Sequence, residues 1–221
     1  MTRPTQLVLV AGTATDIGKT WVGGQVLSML RRRGVTVAAR KPAQSLDASE
    51  PGPTDAEVLA AATGEDPAEV VPTHRTYPVA MAPPMAADAL GLPEPTTNEL
   101  LAELRWPEPP AEVGWLETVG GPHSPVTVDG DAVTFAERLA PDLVVLVADA
   151  GLGTVNAVMS SVAPFDRWPV VVVLNRFDPA DDLHRRNRQW LETRKGLEIV
   201  VDLEALSSRL ASPGARSRDG G

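Results

Sequence analysis

The sequence predicts an α/β fold, a doubly wound and mostly parallel sheet. Short apolar runs that fit β-strands alternate along the chain with segments of helical periodicity. The run at residues 143–147 is apolar at every position, which is typical of a strand buried on both faces of a parallel sheet. Polar residues that could carry chemistry follow the C-terminal ends of several predicted strands, where open α/β sheets bind their ligands.

The first predicted strand, residues 7–10, leads into the stretch 12–20, which has the sequence GTATDIGKT and opens a helical segment. A loop that ends in Gly-Lys-Thr at a helix N-terminus directs backbone N–H groups and the helix dipole at one point, and so favours phosphate. In such a loop Lys19 would reach the β- and γ-phosphates, and the Thr20 hydroxyl would join a Mg²⁺ ion. Five residues separate the two glycines where the standard pattern has four, so we predict a modified P-loop. The alternative is a turn that ends in Lys-Thr by coincidence.

Composition limits the classes of function. A chain of 221 residues with a net charge of −9 suits one domain, which we place at residues 1–210, and disfavours a nucleic-acid partner. The absence of cysteine excludes thiolate chemistry, and three scattered histidines disfavour a histidine metal site. No signal-peptide pattern and no membrane-spanning apolar stretch is present, so we expect a cytoplasmic protein without a membrane partner. Residues 211–221 are expected to form a disordered tail.

The first helix shows apolar residues at helical spacing and ends at three arginines and Gly34. The second predicted strand, residues 35–39, brings Lys41 and Ser45 to the ligand-binding edge of the sheet. A surface loop at 46–54 then precedes a short helix that starts at Asp55. A carboxylate in the first turn of a helix is an ordinary capping residue, so Asp55 has a structural interpretation as well as a functional one.

The middle of the chain is predicted to be irregular at residues 72–84, with helices at 85–90 and 96–104, the second capped by Thr97. The third strand, residues 113–117, ends in Glu117. A carboxylate at this position could supply a metal ligand, or it could be a solvated side chain in a turn.

The C-terminal part continues with a helix at 135–139, the strand at 143–147, Asp149, and a glycine-rich turn at 151–156 that is a weaker candidate for anion binding. A fifth strand, 170–174, ends at Asn175. The helix at 183–194 is predicted to direct Leu183, Trp190 and Leu191 inward, and an edge strand at 199–201 and a helix at 203–210 complete the fold.

A single site is the simplest explanation for this pattern, because the loop at 12–20, Lys41, Glu117, Asp149 and Asn175 all follow strands at one edge of the sheet. A Mg²⁺ ion held by Thr20 and nucleotide phosphates usually takes one or two carboxylates as well. This favours the metal-ligand interpretation of Asp55 and Glu117.

In these residues the chain resembles the dethiobiotin synthetase family, P-loop ligases that close a ring in biotin synthesis. The resemblance runs from the N-terminus to about Asn175 and is most specific in the stretched loop at 12–20 and in residues 41–45, KPAQS. It continues through Asp55, residues 82–87, Glu117, Gly120, Gly121, residues 152–156 and Asn175.

The resemblance implies an ATP- and Mg²⁺-dependent reaction of a small diamine, 7,8-diaminononanoate, with CO₂. The amine takes up CO₂ as a carbamate, ATP phosphorylates the carbamate, and the neighbouring amine closes a cyclic urea with loss of phosphate. Because the reacting species are anionic, charge neutralisation and positioning should dominate catalysis.

The resemblance also implies roles for individual residues. Lys41, Lys19 and Thr15 would be catalytic, and Thr15 and Ser45 would contact the substrate. Mg²⁺ would be surrounded by Thr20, Asp55 and Glu117. ATP would contact a larger set, in which Asn175 reads adenine: Asp16, Ile17, Gly18, Lys19, Thr20, Trp21, Glu117, Gly120 and Asn175. In the family homodimer, one subunit receives the carboxylate of the substrate bound in the other, here through Gly153, Thr154, Val155 and Asn156.

The chain departs from the family pattern in three places. Thr118 and Val119 stand where the family has Gly and Ala, residues 201–203 are the nearest candidate for a missing adenine loop, and the helix after Asn156 lacks a frequent histidine. Two other functions remain open: a related P-loop ligase or amidotransferase-type enzyme with another amine or acid, and an ATP-dependent dimerisation switch. Such switches typically carry an extra lysine near the start of the loop, and positions 11–17 contain none.

Overall fold

Six parallel strands form the central sheet in the computed structural model, which describes residues 3–47, 49 and 51–212. The strands of this described part are β1 (Gln6–Gly12), β2 (Val37–Arg40), β3 (Gln44–Ser45), β4 (Thr76–Tyr77), β5 (Val113–Glu117), β6 (Leu143–Asp149), β7 (Val170–Asn175) and β8 (Glu198–Val200). The central sheet has the order β2-β5-β1-β6-β7-β8, and β3 and β4 form a separate parallel pair. The predicted α/β fold class is confirmed.

The helices connect these strands and cover the sheet. Within the described residues they are α1 (Lys19–Arg32), α2 (Asp55–Thr63), α3 (Pro67–Val70), α4 (Pro83–Ala89), α5 (Thr97–Glu103), α6 (Ala132–Leu139), α7 (Thr154–Val162), α8 (Asp182–Lys195) and α9 (Leu203–Ala211). Short 3₁₀ turns occupy Thr73–Arg75 and Ala163–Phe165. Across this part of the chain, no helix has the length and apolar character needed to cross a bilayer.

Each face of the sheet carries its own apolar layer. Side chains alternate along β1, so that Val8 and Val10 join one layer while Leu7 and Leu9 join the other. Helices α1, α2 and α9 contribute to the first layer, and α6 and α7 to the second. Helices on both faces of a parallel sheet are the doubly wound arrangement that the sequence predicts.

The strand order places the end of β1 at the centre of the molecule. The chain crosses from β1 to β2, returns to β5, and only then passes β1 to reach β6 on its other side. The register sets Val10 opposite Glu117 of β5 and Gly12 opposite Val147 of β6. The loop after β1 therefore lies at the point where the strand order reverses, which is where open α/β sheets form a ligand crevice.

The cap of α5 differs from the prediction. Thr96, and not Thr97, accepts the N–H of Glu99, and the Glu99 carboxylate accepts the N–H of Thr96 in return. The Thr97 hydroxyl is instead buried against Asp129 and Thr127. Two adjacent threonines offer the same capping chemistry, and the reciprocal Glu three residues later selects the first.

The inward face of α8 also differs. Leu191 is buried, but Leu183 is 38% and Trp190 50% exposed, so their predicted inward orientation was wrong. The segment 72–84, predicted to be irregular, contains β4 and the start of α4. Helix α9 runs through Ala211, and the remainder of the predicted tail, from residue 213, lies outside the described residues.

Candidate active site

A cavity of about 840 Å³ opens at the C-terminal edge of the sheet. It is bounded by the phosphate loop, the end of β5, the start of α2 and the segment before α4. The predicted site residues that line it are Thr15, Asp16, Gly18, Lys19, Thr20, Lys41, Ser45, Asp55, Glu117 and Gly120. The structure therefore brings most of the predicted site into one cavity.

The phosphate loop has the backbone geometry of an anion cradle. Gly18 is the N-cap residue of α1 with a φ of +96°, and a Cβ there would lie 2.2 Å from Asn175 Nδ2, so only glycine fits. Among the described residues no side chain caps α1 at Gly18. The N–H groups of the first turn therefore remain open to a phosphate.

Lys19 lies buried in the first turn of α1. Its Nζ is 3.5 Å from the carbonyl oxygen of Ala14. Burial lowers the pKa of Lys19, and this effect outweighs the attraction of Glu117. An ammonium with this one long hydrogen bond within the described chain has donors left for phosphate oxygens.

Lys41 lies between two carboxylates. Its Nζ donates to Glu117 Oε1 at 2.8 Å and also to Asp55 Oδ2. Burial by itself lowers the pKa of Lys41, but the charges of Glu117 and Asp55 overcome this and hold the pKa above its ordinary value of 10.5. Lys41 is therefore an ammonium at any pH near neutrality.

The Thr20 hydroxyl meets the same two carboxylates. Its Oγ1 lies 2.7 Å from Glu117 Oε1 and 2.9 Å from Asp55 Oδ1. A hydroxyl has one proton, so it can donate to only one of these oxygens at a time. The other oxygen of Glu117, Oε2, is buried without a hydrogen-bond partner in the described part of the protein. The cluster therefore has more acceptor sites than protons.

This donor set fits a hard divalent cation. Mg²⁺ is usually held by one or two carboxylates together with phosphates and water, and Thr20, Asp55 and Glu117 supply two carboxylates and a hydroxyl. The described residues contain no group of three or more His, Cys, Asp or Glu side chains that could hold a metal ion. Because Mg²⁺ prefers six oxygen ligands, the two carboxylates and the hydroxyl suit a metal that arrives with nucleotide phosphates.

Asp55 is free for this cluster because another residue caps its helix. Thr54 is the N-cap of α2, and its hydroxyl accepts the N–H of Glu57 while the Glu57 carboxylate accepts the N–H of Thr54. Burial raises the pKa of Asp55, but the Lys41 charge and the hydrogen bonds from Lys41 and Thr20 together outweigh it and leave the pKa below its ordinary value. Of the two interpretations of Asp55, the structure disfavours the helix cap.

Asn175 contacts the phosphate loop directly. It is buried, and its Nδ2 donates to the carbonyl oxygen of Ile17 at 2.9 Å. The next residue, Arg176, donates to the carbonyl oxygen of Asp16 at 3.1 Å. The end of β7 thereby fixes the loop, whereas the reading of adenine by Asn175 stays a prediction. Trp21, also assigned to ATP, is 54% exposed at the start of α1.

The glycine-rich turn at 151–156 does not line the cavity of its own chain. Gly153, with a φ of +90°, is the N-cap of α7, and the Asn187 side chain donates to the carbonyl oxygens of Ala150 and Gly151 at 2.9 Å each. Leu152 is 93% exposed. The contact of Gly153, Thr154, Val155 and Asn156 with substrate bound in a partner subunit stays a prediction.

Known proteins share this sequence pattern. A family described as an AAA domain matches residues 6–209. A protein of Haloferax mediterranei, named ATP-dependent dethiobiotin synthetase BioD, is 33% identical over alignments that cover 91% of this chain and 85% of its own. A protein of the same name from Mycobacterium sp. (strain JLS) is 32% identical and covers 94% of this chain and 96% of its own. The chain belongs to the dethiobiotin synthetase family.

Membership of the dethiobiotin synthetase family confirms the predicted resemblance and the prediction of an ATP-dependent ligase. Among solved structures, the signal recognition particle receptor FtsY from Elizabethkingia anophelis is similar with a TM-score of 0.52 and 13% identity, covering 96% of this chain and 65% of that chain. At such low identity this likeness shows the P-loop fold alone.

Some cavity residues were missed by sequence reasoning. Gln44 is buried, accepts the N–H of Ala56 at 3.1 Å and donates to Thr76 Oγ1 at 3.0 Å, so it fixes the start of α2. Ser124 accepts the N–H of Gly121 at 2.8 Å, and Met81 also lines the cavity. Gln44 stands in the run KPAQS that the resemblance to the dethiobiotin synthetase family singled out, which could have identified it.

Proposed function

We propose that the protein catalyses the complete dethiobiotin synthetase reaction, the Mg²⁺-dependent conversion of 7,8-diaminononanoate, CO₂ and ATP to dethiobiotin, ADP and phosphate. One observation supports this above the others: Lys41, flanked by Asp55 and Glu117, shares a cavity with the open N-terminus of α1. This arrangement places the ammonium groups of Lys19 and Lys41 and the open N–H groups of α1 where two anions must react.

The proposed chemistry forms and breaks bonds in three steps. One amine nitrogen bonds to the carbon of CO₂ and loses a proton, giving a carbamate. A carbamate oxygen then bonds to the γ-phosphorus of ATP as ADP departs. The second amine finally attacks the carbamoyl carbon and releases a proton, phosphate leaves, and the cyclic urea closes.

The residues of the chain would bring the two anions together. Lys19 and the N–H groups of α1 would bind the phosphates, and Lys41 would neutralise the carbamate and the γ-phosphate as they approach. The Ser45 hydroxyl is buried with no hydrogen-bond partner among the described residues, and it lines the cavity. It is therefore available to orient the substrate, together with Thr15 on the opposite loop.

Thr20, Asp55 and Glu117 would hold Mg²⁺, which neutralises phosphate charge when bound with the nucleotide.

We further propose a homodimer in which the turn at 151–156 of one subunit completes the substrate site of the other. Two observations support this proposal: Leu152 is exposed, and no side chain of the described residues caps the N-terminus of α7, whose open N–H groups suit a carboxylate.

The test is an assay with ATP, Mg²⁺, bicarbonate and 7,8-diaminononanoate. We expect diamine-dependent release of ADP and a cyclic urea detected by mass spectrometry. Omission of bicarbonate from a CO₂-depleted buffer serves as the control. ADP release that does not depend on the diamine would contradict the proposed substrate.

A further inference from the structure

Thr118 and Val119, which follow β5, face different surroundings. Thr118 is fully buried, and both its N–H and its hydroxyl donate to the carbonyl oxygen of Val10 at 2.9 Å. Its side chain is therefore directed at the backbone of β1. Val119 is partly buried against the apolar layer that contains Phe135, and it lines the cavity. Of the two side chains, Val119 is the one that a ligand can contact.

The backbone around Val119 is held in place. On its N-terminal side, Thr118 is bonded twice to Val10. On its C-terminal side, the Gly120 carbonyl oxygen accepts the N–H of Gly12 at 3.0 Å, and a Cβ at Gly120 would lie 2.2 Å from Ser124 Oγ. The loop therefore has little freedom to move the Val119 side chain away, and a bound molecule has to fit around that side chain.

The cavity is lined by residues of two chemical kinds. Lys41, Asp55 and Glu117 form a charged cluster. Val119, Met81 and Pro125 are apolar, and Met81 is 51% exposed. Apolar lining of this kind is surface that a hydrocarbon group could cover.

We propose that Val119 is a specificity-determining residue that contacts the hydrocarbon chain of the substrate. This inference rests on the proposed function, since it assigns the vicinal amines to the charged cluster and the adjoining methylene groups to the apolar lining residues. Val119 thereby selects a diamine that carries an aliphatic chain over a short diamine with the same reacting groups.

The test compares kcat/KM for two substrates, 7,8-diaminononanoate and 2,3-diaminobutane, which keeps the vicinal amines and lacks the chain. For the long substrate we expect Val119→Ala to reduce kcat/KM about 5- to 15-fold, the scale of two buried methyl groups. For the short substrate we expect less than a twofold change, and the KM for ATP should not change. Val119→Thr, which keeps the shape but is less apolar, should act in the same direction.

Thr118→Ser is the matched control, because it removes one methyl group from the neighbouring residue and keeps the hydroxyl bond to Val10. It should leave both substrates unaffected. If Val119→Ala lost kcat/KM equally for both substrates, the assignment of Val119 would be overturned. Diamine-dependent turnover by the wild type would still support the proposed function in that case. If the wild type showed no diamine-dependent ADP release, both would be overturned.

Discussion

At the scale of single residues, Lys41 carries two separable roles. Replacing it by Met removes the ammonium that touches Asp55 and Glu117. We expect turnover to fall by about two orders of magnitude, the scale for losing one group that stabilises transition-state charge, while ATP binding changes little. Steady-state ADP release and an ATP-induced thermal shift measure the two effects. Wild-type turnover in the variant would show that Lys41 serves the fold alone.

Stability should respond to the same change. Lys41→Met leaves the buried Glu117 without its ion-pair partner, and we expect the free energy of unfolding to fall by about 3–5 kcal/mol without metal. Lys41→Arg keeps the charge and should recover much of this. The pKa of Lys41 in the folded state lies above its ordinary value of 10.5. The contribution of Lys41 to the free energy of unfolding is therefore complete below pH 10.5, and it is lost only as the pH rises through the folded-state pKa.

Lys19 should act on the nucleotide more than on the fold. We expect Lys19→Ala to abolish turnover and weaken ATP binding by about 1.5–3 kcal/mol, the worth of a charge-assisted hydrogen bond. Calorimetric titration with ATP measures the loss. Lys195→Ala, at an exposed lysine in the last turn of α8, is the control. Equal ATP affinity in both variants would contradict the P-loop assignment.

The two carboxylates are tested through the metal. Asp55→Asn and Glu117→Gln should each raise the Mg²⁺ concentration needed for half-maximal turnover, because a hard cation loses an anionic ligand. If both titration curves coincide with that of the wild type, the metal assignment is wrong.

The pKa of Asp55 in the folded state lies below its ordinary value of 3.8. Its contribution to the free energy of unfolding is therefore present above pH 3.8, and it is lost as the pH falls through the folded-state pKa.

At the scale of elements, the contact between β7 and the phosphate loop supports a further prediction. If the amide of Asn175 reads adenine, the wild type should prefer ATP to GTP by about 1–3 kcal/mol, and Asn175→Ala should lose this preference. If Asn175 only fixes the Ile17 carbonyl, the variant should bind both nucleotides more weakly and to the same degree. Competition binding with ATP and GTP distinguishes the two roles.

The elements also show what the sequence could predict. The apolar strands and the loop at 12–20 were recognised because their signals are local. The role of Asp55 could not be decided from neighbours alone, since Thr54 and Asp55 can both cap a helix. The choice depends on Lys41, which lies 14 residues earlier in the chain and becomes adjacent only in the folded protein. The exposure of Trp190 was missed for a similar reason, because periodicity indicates a face without saying how far it is covered.

At the scale of the whole molecule, the proposed sharing of the site between two subunits can be tested by mixing subunits. Lys41→Met and Asn156→Ala should each be nearly inactive alone. In a refolded equal mixture, hybrid dimers would pair an intact Lys41 with an intact turn in one of two sites, so we expect about a quarter of wild-type activity. Asn156 is exposed in the single chain, so its substitution should not disturb the fold. No recovery on mixing would contradict the shared site.

The ion pairs of Lys41 have a consequence for the order in which ligands enter. Before any ligand binds, Lys19 and Lys41 match in number the two carboxylates of their cluster, Asp55 and Glu117. A free divalent cation would have to displace the Lys41 ammonium from both acids and would leave an excess of positive charge in this cluster. A metal that enters with a triphosphate brings the compensating anion with it and offers the released ammonium a new partner. The charge count thus favours joint entry of metal and nucleotide, with Lys41 moved toward the phosphates by the same event.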